Sequence, residues 1–201
     1  MRYTIFDMPV LRNLLQFLSI VILKILGWRR SGQVPSIPKY VMIAAPHTSN
    51  WDFPIGLAII LSFKMKLSWL GKESLFRWPL GILFKWLGGI PINRSKSGDM
   101  VAQTIQAFKE KATMVMVVAP EGTRKKGKYW KTGFYYIAKG ANVPIVMAFI
   151  DYMRKTGGFG PTFEPTGNIE SDMEKIRAFY DNVMGKIPEK STPAMIARPG
   201  G

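Results

Sequence analysis

Short apolar runs alternate along the chain with longer segments in which apolar residues recur at helical spacing. Continuous apolar runs predict buried strands, and amphipathic segments predict helices. The predicted strands are 40–44, 67–70, 89–93, 114–119 and 143–150, and the predicted helices are 51–62, 100–111, 133–140 and 171–183. Strands alternating with helices indicate an α/β fold in which a mostly parallel sheet is flanked by helices.

The N-terminal segment 10–26 is strongly apolar, but its polar residues cluster on one side of a helical wheel. Those residues are Arg12, Asn13, Gln16, Ser19 and Lys24. An amphipathic helix followed directly by Trp28, Arg29 and Arg30 predicts attachment in the membrane interface. A helix packed on the protein's own core is the alternative. We expect three parts: a membrane-associating helix at 1–30, a single domain at 31–184 and a flexible tail at 185–201.

Composition narrows the choice of partners. The 201 residues carry a formal net charge of +15, yet 47% of them are hydrophobic. This combination favours an anionic membrane surface as partner and argues against nucleic acid. One histidine and no cysteine exclude thiolate chemistry and make a metal site improbable, so neither metal nor cofactor is expected. We therefore expect a peripheral or monotopic membrane protein at the cytoplasmic face.

Two polar clusters each follow a predicted buried strand, where ligands bind in open α/β sheets. The first runs from His47 to Asp52, and His47 is the only side chain suited to accept a proton near neutral pH. A carboxylate at Asp52 would fix the histidine tautomer and hold the imidazolium that forms. The two side chains can meet only if the loop turns between them, because five residues of continuous helix would separate them by about 140°.

The second cluster follows the strand predicted at 114–119 and runs from Glu121 to Arg124. Gly122 permits close approach of the backbone to a ligand. Arg124 and Arg94 supply forked donors of the kind that bind phosphate. The two clusters together predict a general base and an anion clamp in one cleft.

Four blocks resemble, in order, the motifs of the glycerophospholipid acyltransferase family, of which lysophosphatidic acid acyltransferase is the best-known member. The blocks are His47 to Asp52 as a His-X4-Asp motif, Lys72-Glu73 with Gly89 to Arg94, Pro120-Glu121-Gly122-Thr123-Arg124, and Val143-Pro144-Ile145. Together they span about residues 40–149. One departure is Met147-Ala148, where many members carry a second proline.

The resemblance implies that His47, oriented by Asp52, is the catalytic base. It assigns substrate binding to Lys72, Arg94, Glu121, Gly122, Thr123 and Arg124. The implied reaction moves a fatty acyl group from acyl-CoA or acyl carrier protein to the hydroxyl of 1-acylglycerol 3-phosphate, in phospholipid biosynthesis. Other members acylate glycerol 3-phosphate or other lysolipids, so the acceptor stays open. Because a carboxylate cannot itself bind a dianion, we expect Glu121 to hold Arg94, Arg124 or Lys72 in place.

Three alternatives come from other classes of protein. Residues 122–128 fit the first seven positions of a phosphate-binding P-loop, but Tyr129 stands where a Ser or Thr must hold magnesium. A serine hydrolase using Ser49 lacks the Gly-X-Ser-X-Gly elbow. A non-catalytic basic membrane-binding module is the remaining alternative.

Overall fold

A seven-stranded sheet is the centre of the computed structural model, which describes residues 4–92 and 97–197. Its strands are β1 (Arg29–Ser31), β2 (Lys39–Ala45), β3 (Ser68–Lys72), β4 (Gly89–Ile92), β5 (Met114–Val118), β6 (Ile145–Asp151) and β7 (Thr156–Phe163). Their order is β1-β7-β6-β2-β5-β3-β4, and each neighbouring pair is parallel except β6 and β7. The predicted α/β fold with a mostly parallel sheet is confirmed.

Helices cover the two faces of this sheet. They are α1 (Pro9–Ile25), α2 (Asp52–Ser62), α3 (Leu80–Trp86), α4 (Ser97–Glu110), α5 (Gly133–Ala141) and α6 (Ile169–Tyr180). Successive side chains of a strand point to opposite faces. Val41 and Ile43 of β2 accordingly pack in a cluster with residues of α4, α5 and α6, whereas Tyr40 and Met42 pack with α2 and the N-terminal segment.

Two strands were not predicted from the sequence. The three residues of β1 and the glycine-rich β7 carry no apolar run, and β7 contains Pro161. Both segments form strands because of their position in the sheet. Strand β7 pairs with β6 on one side and with β1 on the other, so tertiary contacts override weak local propensity. The late helix α6 begins at Ile169, because the Asn168 side chain accepts a hydrogen bond from the Ser171 N–H at 3.1 Å.

The C-terminal segment 185–197 crosses the domain at the strand ends. The Trp130 backbone N–H donates to the Met195 carbonyl at 2.7 Å, and the Trp130 indole donates to the Thr192 carbonyl at 3.0 Å. Thr192 and Ala194 are buried. The division of the chain at residues 30 and 184 stays a prediction, but these contacts place the described part of the tail against the domain.

Helix α1 packs on the protein through a mixed face that carries Gln16, Ser19 and Leu23, whereas Asn13 and Lys24 are exposed. Gln16 donates to the Ser62 carbonyl of α2 at 3.1 Å, and Ser19 is buried. The exposed apolar side chains form what we call the outer apolar face of α1: Val10, Leu14, Phe17, Leu18, Val21, Ile22 and Ile25. Among the residues that the structure describes, no helix combines the length and apolar character needed to cross a bilayer.

Candidate active site

The loop between β2 and α2 turns back on itself and brings His47 to Asp52. His47 Nδ1 lies 3.2 Å from Asp52 Oδ2. The same oxygen accepts the backbone N–H groups of Thr48 and Ser49, each at 2.8 Å. Asp52 is the first residue of α2, so its carboxylate holds the loop and also lies at the positive end of the helix.

The surroundings of Asp52 keep it ionised. Burial alone would raise the pKa of this carboxyl, but hydrogen bonds from His47, the Ser49 N–H and the Tyr152 hydroxyl outweigh it and lower the pKa below its usual value. An ionised carboxylate beside Nδ1 favours the tautomer with its proton on that nitrogen. Nε2 is then the nitrogen that can accept a proton. The His47 side chain is 28% exposed, so a substrate can reach it.

Glu121 supports the same loop, a role that was not predicted for it. Its Oε2 accepts the His47 backbone N–H at 2.5 Å, and the side chain is only 3% exposed. Within the described residues it forms no ion pair, so it does not hold Arg124 or Lys72. Arg94, the third cation predicted as its partner, lies outside the described residues, and that part stays a prediction. Because β5 pairs directly with β2, the turn after β5 places Glu121 against the histidine loop.

Replacing Glu121 with glutamine is expected to change how stability varies with pH. Burial raises the pKa of Glu121 to about 7, against 4.5 for an ordinary glutamate, and outweighs the lowering effect of the His47 N–H. Between pH 4.5 and 7 the Glu121 carboxyl is ionised in the unfolded chain but protonated in the folded one. The wild type therefore loses stability relative to Glu121→Gln as pH rises, by up to about 3 kcal/mol. Above pH 7 the difference should be constant.

Urea unfolding of both proteins at several pH values measures this difference. The exposed Glu164→Gln is the matched control for the chemical change. A difference between wild type and Glu121→Gln that does not vary between pH 4.5 and 7 would contradict the expectation.

Arg124 lies beside the histidine loop, at a cavity of about 320 Å³. The residues that line it are Thr48, Ser49, Asn50, Trp51, Arg124, Lys125, Ile187 and Lys190. The Arg124 guanidinium is exposed and has no ion-pair partner in the described part of the chain. The structure therefore brings one of the two predicted arginines to the cleft with its donors available to an anion.

The other predicted binding residues are less closely associated with His47. Lys72 is the exposed last residue of β3, at the sheet edge where β2 also ends, but β5 lies between the two strands. Gly122 adopts φ +66°, a left-handed conformation that favours glycine, in the turn after β5. The Thr123 hydroxyl accepts the Lys125 N–H at 3.2 Å. Arg94 lies outside the described residues.

Sequence reasoning missed three residues around the site. The Tyr152 hydroxyl donates to Asp52 Oδ1 at 2.9 Å, the Ile187 N–H donates to the Thr48 hydroxyl at 3.2 Å, and the Lys186 ammonium lies 4.9 Å from the Trp51 ring centroid. Tyr152 could have been found from the sequence, because it follows a strand predicted to end at the ligand-binding edge of the sheet. Lys186 and Ile187 fall in a tail whose composition shows no pattern.

Comparisons with known proteins establish the class. A family model described as Acyltransferase matches residues 29–151, more than half of the chain. The chain therefore belongs to the acyltransferase family, and the family predicted from its sequence blocks is confirmed.

No curated protein matches the chain. Its fold is similar to the crystal structure of the 1-acyl-sn-glycerophosphate (LPA) acyltransferase PlsC from Thermotoga maritima, with a TM-score of 0.55. The two sequences are 17% identical, and the match covers 83% of this chain and 76% of that one. At this identity the likeness shows the fold alone.

Proposed function

We propose that this acyltransferase moves a fatty acyl group from a thioester donor, acyl-CoA or acyl carrier protein, to the hydroxyl of 1-acylglycerol 3-phosphate in phospholipid biosynthesis. The observation that carries the proposal is the His47–Asp52 pair beside a cavity containing Arg124. The printed activity of the structurally similar Thermotoga maritima enzyme agrees with this acceptor.

The first step is proton removal from the acceptor hydroxyl. Nε2 of His47 takes the proton as the oxygen attacks the thioester carbonyl carbon, and Asp52 stabilises the imidazolium. The tetrahedral intermediate then collapses, the carbon–sulfur bond breaks, and the imidazolium returns its proton to the departing thiolate. The products are an ester and a free thiol, with no covalent acyl-enzyme.

The oxyanion of the intermediate needs a hydrogen-bond donor close to His47. The backbone N–H groups of Thr48 and Ser49 already donate to Asp52. That of Asn50, which lines the cavity, donates to no residue in the described part of the chain. We therefore assign the oxyanion to the Asn50 N–H.

The phosphate of the acceptor is assigned to the cationic side of the cavity. Arg124 is its main ligand, since a guanidinium binds phosphate through two parallel hydrogen bonds. The turn containing Gly122 and Thr123 lies in the same segment. Lys72, at the end of β3, and Arg94 remain proposed phosphate ligands. Glu121 contributes by fixing the histidine loop, not by touching substrate.

An acceptor panel tests the proposal. Purified protein is assayed with acyl-CoA and with acyl carrier protein against 1-acylglycerol 3-phosphate, glycerol 3-phosphate, other lysophospholipids and a 1-monoacylglycerol that lacks phosphate. We expect the highest kcat/KM for 1-acylglycerol 3-phosphate and a large loss without phosphate. A preference for glycerol 3-phosphate would show that it is the acceptor in place of 1-acylglycerol 3-phosphate. Vesicle binding without any acyl transfer would favour a non-catalytic membrane-binding module.

We propose peripheral or monotopic attachment to a membrane, at its cytoplasmic face, and the orientation of α1 supports the attachment. Its outer apolar face points away from the protein, with Val10 84% exposed, while the opposite face, with Gln16, Ser19 and Leu23, packs on α2. A helix that served only the core would bury its apolar side chains and leave no apolar face exposed. Exposed Arg29 and Arg30 follow it, in keeping with an anionic lipid surface.

A second exposed apolar surface belongs to the segment around α3. It consists of Leu75, Trp78, Leu80, Ile82, Leu83 and Trp86, with Trp78 85% exposed. The turn before α1 approaches this region, because a Cβ added at Gly88 would lie 3.4 Å from the Phe6 ring. Exposed apolar surfaces of this kind are typical of a membrane contact. We propose that they dock together.

Replacing Phe17 with aspartate is expected to weaken binding to anionic vesicles about tenfold or more, because an apolar side chain of this size contributes about 1.5–3 kcal/mol when buried in lipid. Co-sedimentation with vesicles measures the change. Gln103→Asp on the exposed side of α4 adds the same charge elsewhere and is the matched control. Equal binding by the two variants would count against docking through α1.

A further inference from the structure

We infer that Tyr152 is a positioning residue for the acyl-transfer step: its hydroxyl fixes the Asp52 carboxylate, which in turn orients His47. This inference rests on the proposed function, because it assigns Tyr152 to the same proton transfer. Tyr152 is the first residue beyond the part of the chain that the family model matches, so the family assignment does not include it.

The two oxygens of Asp52 have separate tasks. Oδ2 faces His47 Nδ1 and accepts the N–H groups of Thr48 and Ser49. Oδ1 accepts the Tyr152 hydroxyl at 2.9 Å, and within the described residues no other group donates to it. The tyrosine therefore acts together with the Thr48 and Ser49 N–H groups to fix the rotation of the carboxylate about its last bond, and that rotation decides where Oδ2 points.

Tyr152 is itself held on several sides. Its backbone N–H donates to the Met184 carbonyl at 2.9 Å, and its ring meets Trp28 edge to face at 5.0 Å between centroids. The Lys186 ammonium lies 5.9 Å from the ring centroid on the side of the C-terminal segment. A side chain anchored in this way brings its hydroxyl to one place, as precise positioning of a catalytic group requires.

The hydroxyl acts as a donor at all working pH values. Burial and the negative charge of Asp52 raise the pKa of Tyr152 well above its usual value, so the phenol keeps its proton. A hydrogen bond to the carboxylate stabilises its charge, and losing it leaves Asp52 more basic. A more basic Asp52 attracts the imidazolium more strongly but holds it in a less defined orientation.

Tyr152→Phe keeps the ring and removes only the hydrogen bond. We expect kcat to fall about tenfold, while KM for the acceptor changes little, because the lost interaction acts through the base and not on substrate. The acid limb of the kcat/KM profile should move to higher pH by roughly half a unit. The charged groups that face His47 and Asp52, namely Glu121, Lys186 and Arg124, are unchanged in this variant.

The single histidine of the chain makes a direct measurement possible. Protein labelled with ¹⁵N in histidine gives one set of ring signals, whose titration midpoint should rise by the same amount in Tyr152→Phe without any substrate present. The matched control is Tyr135→Phe, which removes a tyrosine–aspartate hydrogen bond of the same 2.9 Å length, to Asp172. This control should leave both the ring titration and kcat unchanged.

The outcomes separate the two claims. An unchanged ring titration and an unchanged acid limb in Tyr152→Phe would overturn the positioning role, even if kcat fell for other reasons. Absence of acyl transfer in the wild type would instead reject the proposed function, and the ring titration would still decide whether Tyr152 acts on His47 through Asp52.

Discussion

Replacing His47 with alanine is expected to lower kcat for acyl transfer by about 10³-fold or more, because general acid–base catalysis contributes up to about 10⁴. No other histidine is present in the chain to take over the proton. The loss should appear with every acceptor and with both thioester donors, because each reaction passes through the same deprotonation.

Binding should survive this change. The cavity that contains Arg124 does not depend on the imidazole, and the Glu121 carboxylate binds the backbone of residue 47 and not its side chain. Steady-state kinetics, acceptor binding and thermal unfolding should be measured on the same preparation. Turnover by His47→Ala at the wild-type rate would contradict the proposed mechanism. The Tm measurement distinguishes a loss of catalysis from a loss of folding, because only the latter lowers Tm.

Asp52→Asn is expected to reduce kcat by about 10²–10⁴-fold, since an uncharged group in this place cannot stabilise the imidazolium. The geometry should survive. An asparagine carbonyl can accept the Thr48 and Ser49 N–H groups, and its amide can donate to the Tyr152 oxygen. The defect is then electrostatic, and it should be found in kcat more than in KM.

The same variant should alter stability in a pH-dependent way. The pKa of Asp52 is lowered from 3.8, so its ionised form contributes stability that is fully present above that value and is lost as pH falls through the folded-state value. The wild type should exceed Asp52→Asn in Tm at neutral pH and approach it below about pH 4.

Asp172→Asn is the matched control for Asp52→Asn. This buried carboxylate also accepts a tyrosine hydroxyl and a backbone N–H, from Tyr135 and Thr166, and burial is outweighed there too, so its pKa is lowered. We expect it to lose stability with the same pH dependence but to keep acyl transfer. Full activity of Asp52→Asn would show that the carboxylate has only a structural role.

Much of the fold was readable from the sequence because its central strands are continuous apolar runs. The strands at the centre of the sheet, β2, β5 and β6, are buried and carry this signal in their own residues. The strand β7 does not, since glycine and proline dominate it and its strand conformation depends on β6 and β1. Local patterns cannot report pairing that is supplied by distant segments.

The candidate site was predicted in part for the same reason. His47 and Asp52 lie in one loop, so their spacing and chemistry were visible, and the pairing of β2 with β5 brought in Glu121 and Arg124. The contact of Glu121 with the His47 backbone was missed because a backbone N–H leaves no trace in a sequence. Tyr152 is 100 residues from Asp52, and only the parallel pairing of β6 with β2 brings them together.

The wall of the Arg124 cavity comes from three stretches of chain, the loop after β2, the turn after β5 and the C-terminal segment. Ser49, Asn50 and Arg124 belong to recognisable motifs, whereas Ile187 and Lys190 come from a C-terminal stretch that no motif describes. If the proposed acceptor binds in this cavity, its selectivity is set partly outside the motifs. We expect that exchanging the C-terminal stretch between two related proteins changes acceptor preference while every motif residue stays identical.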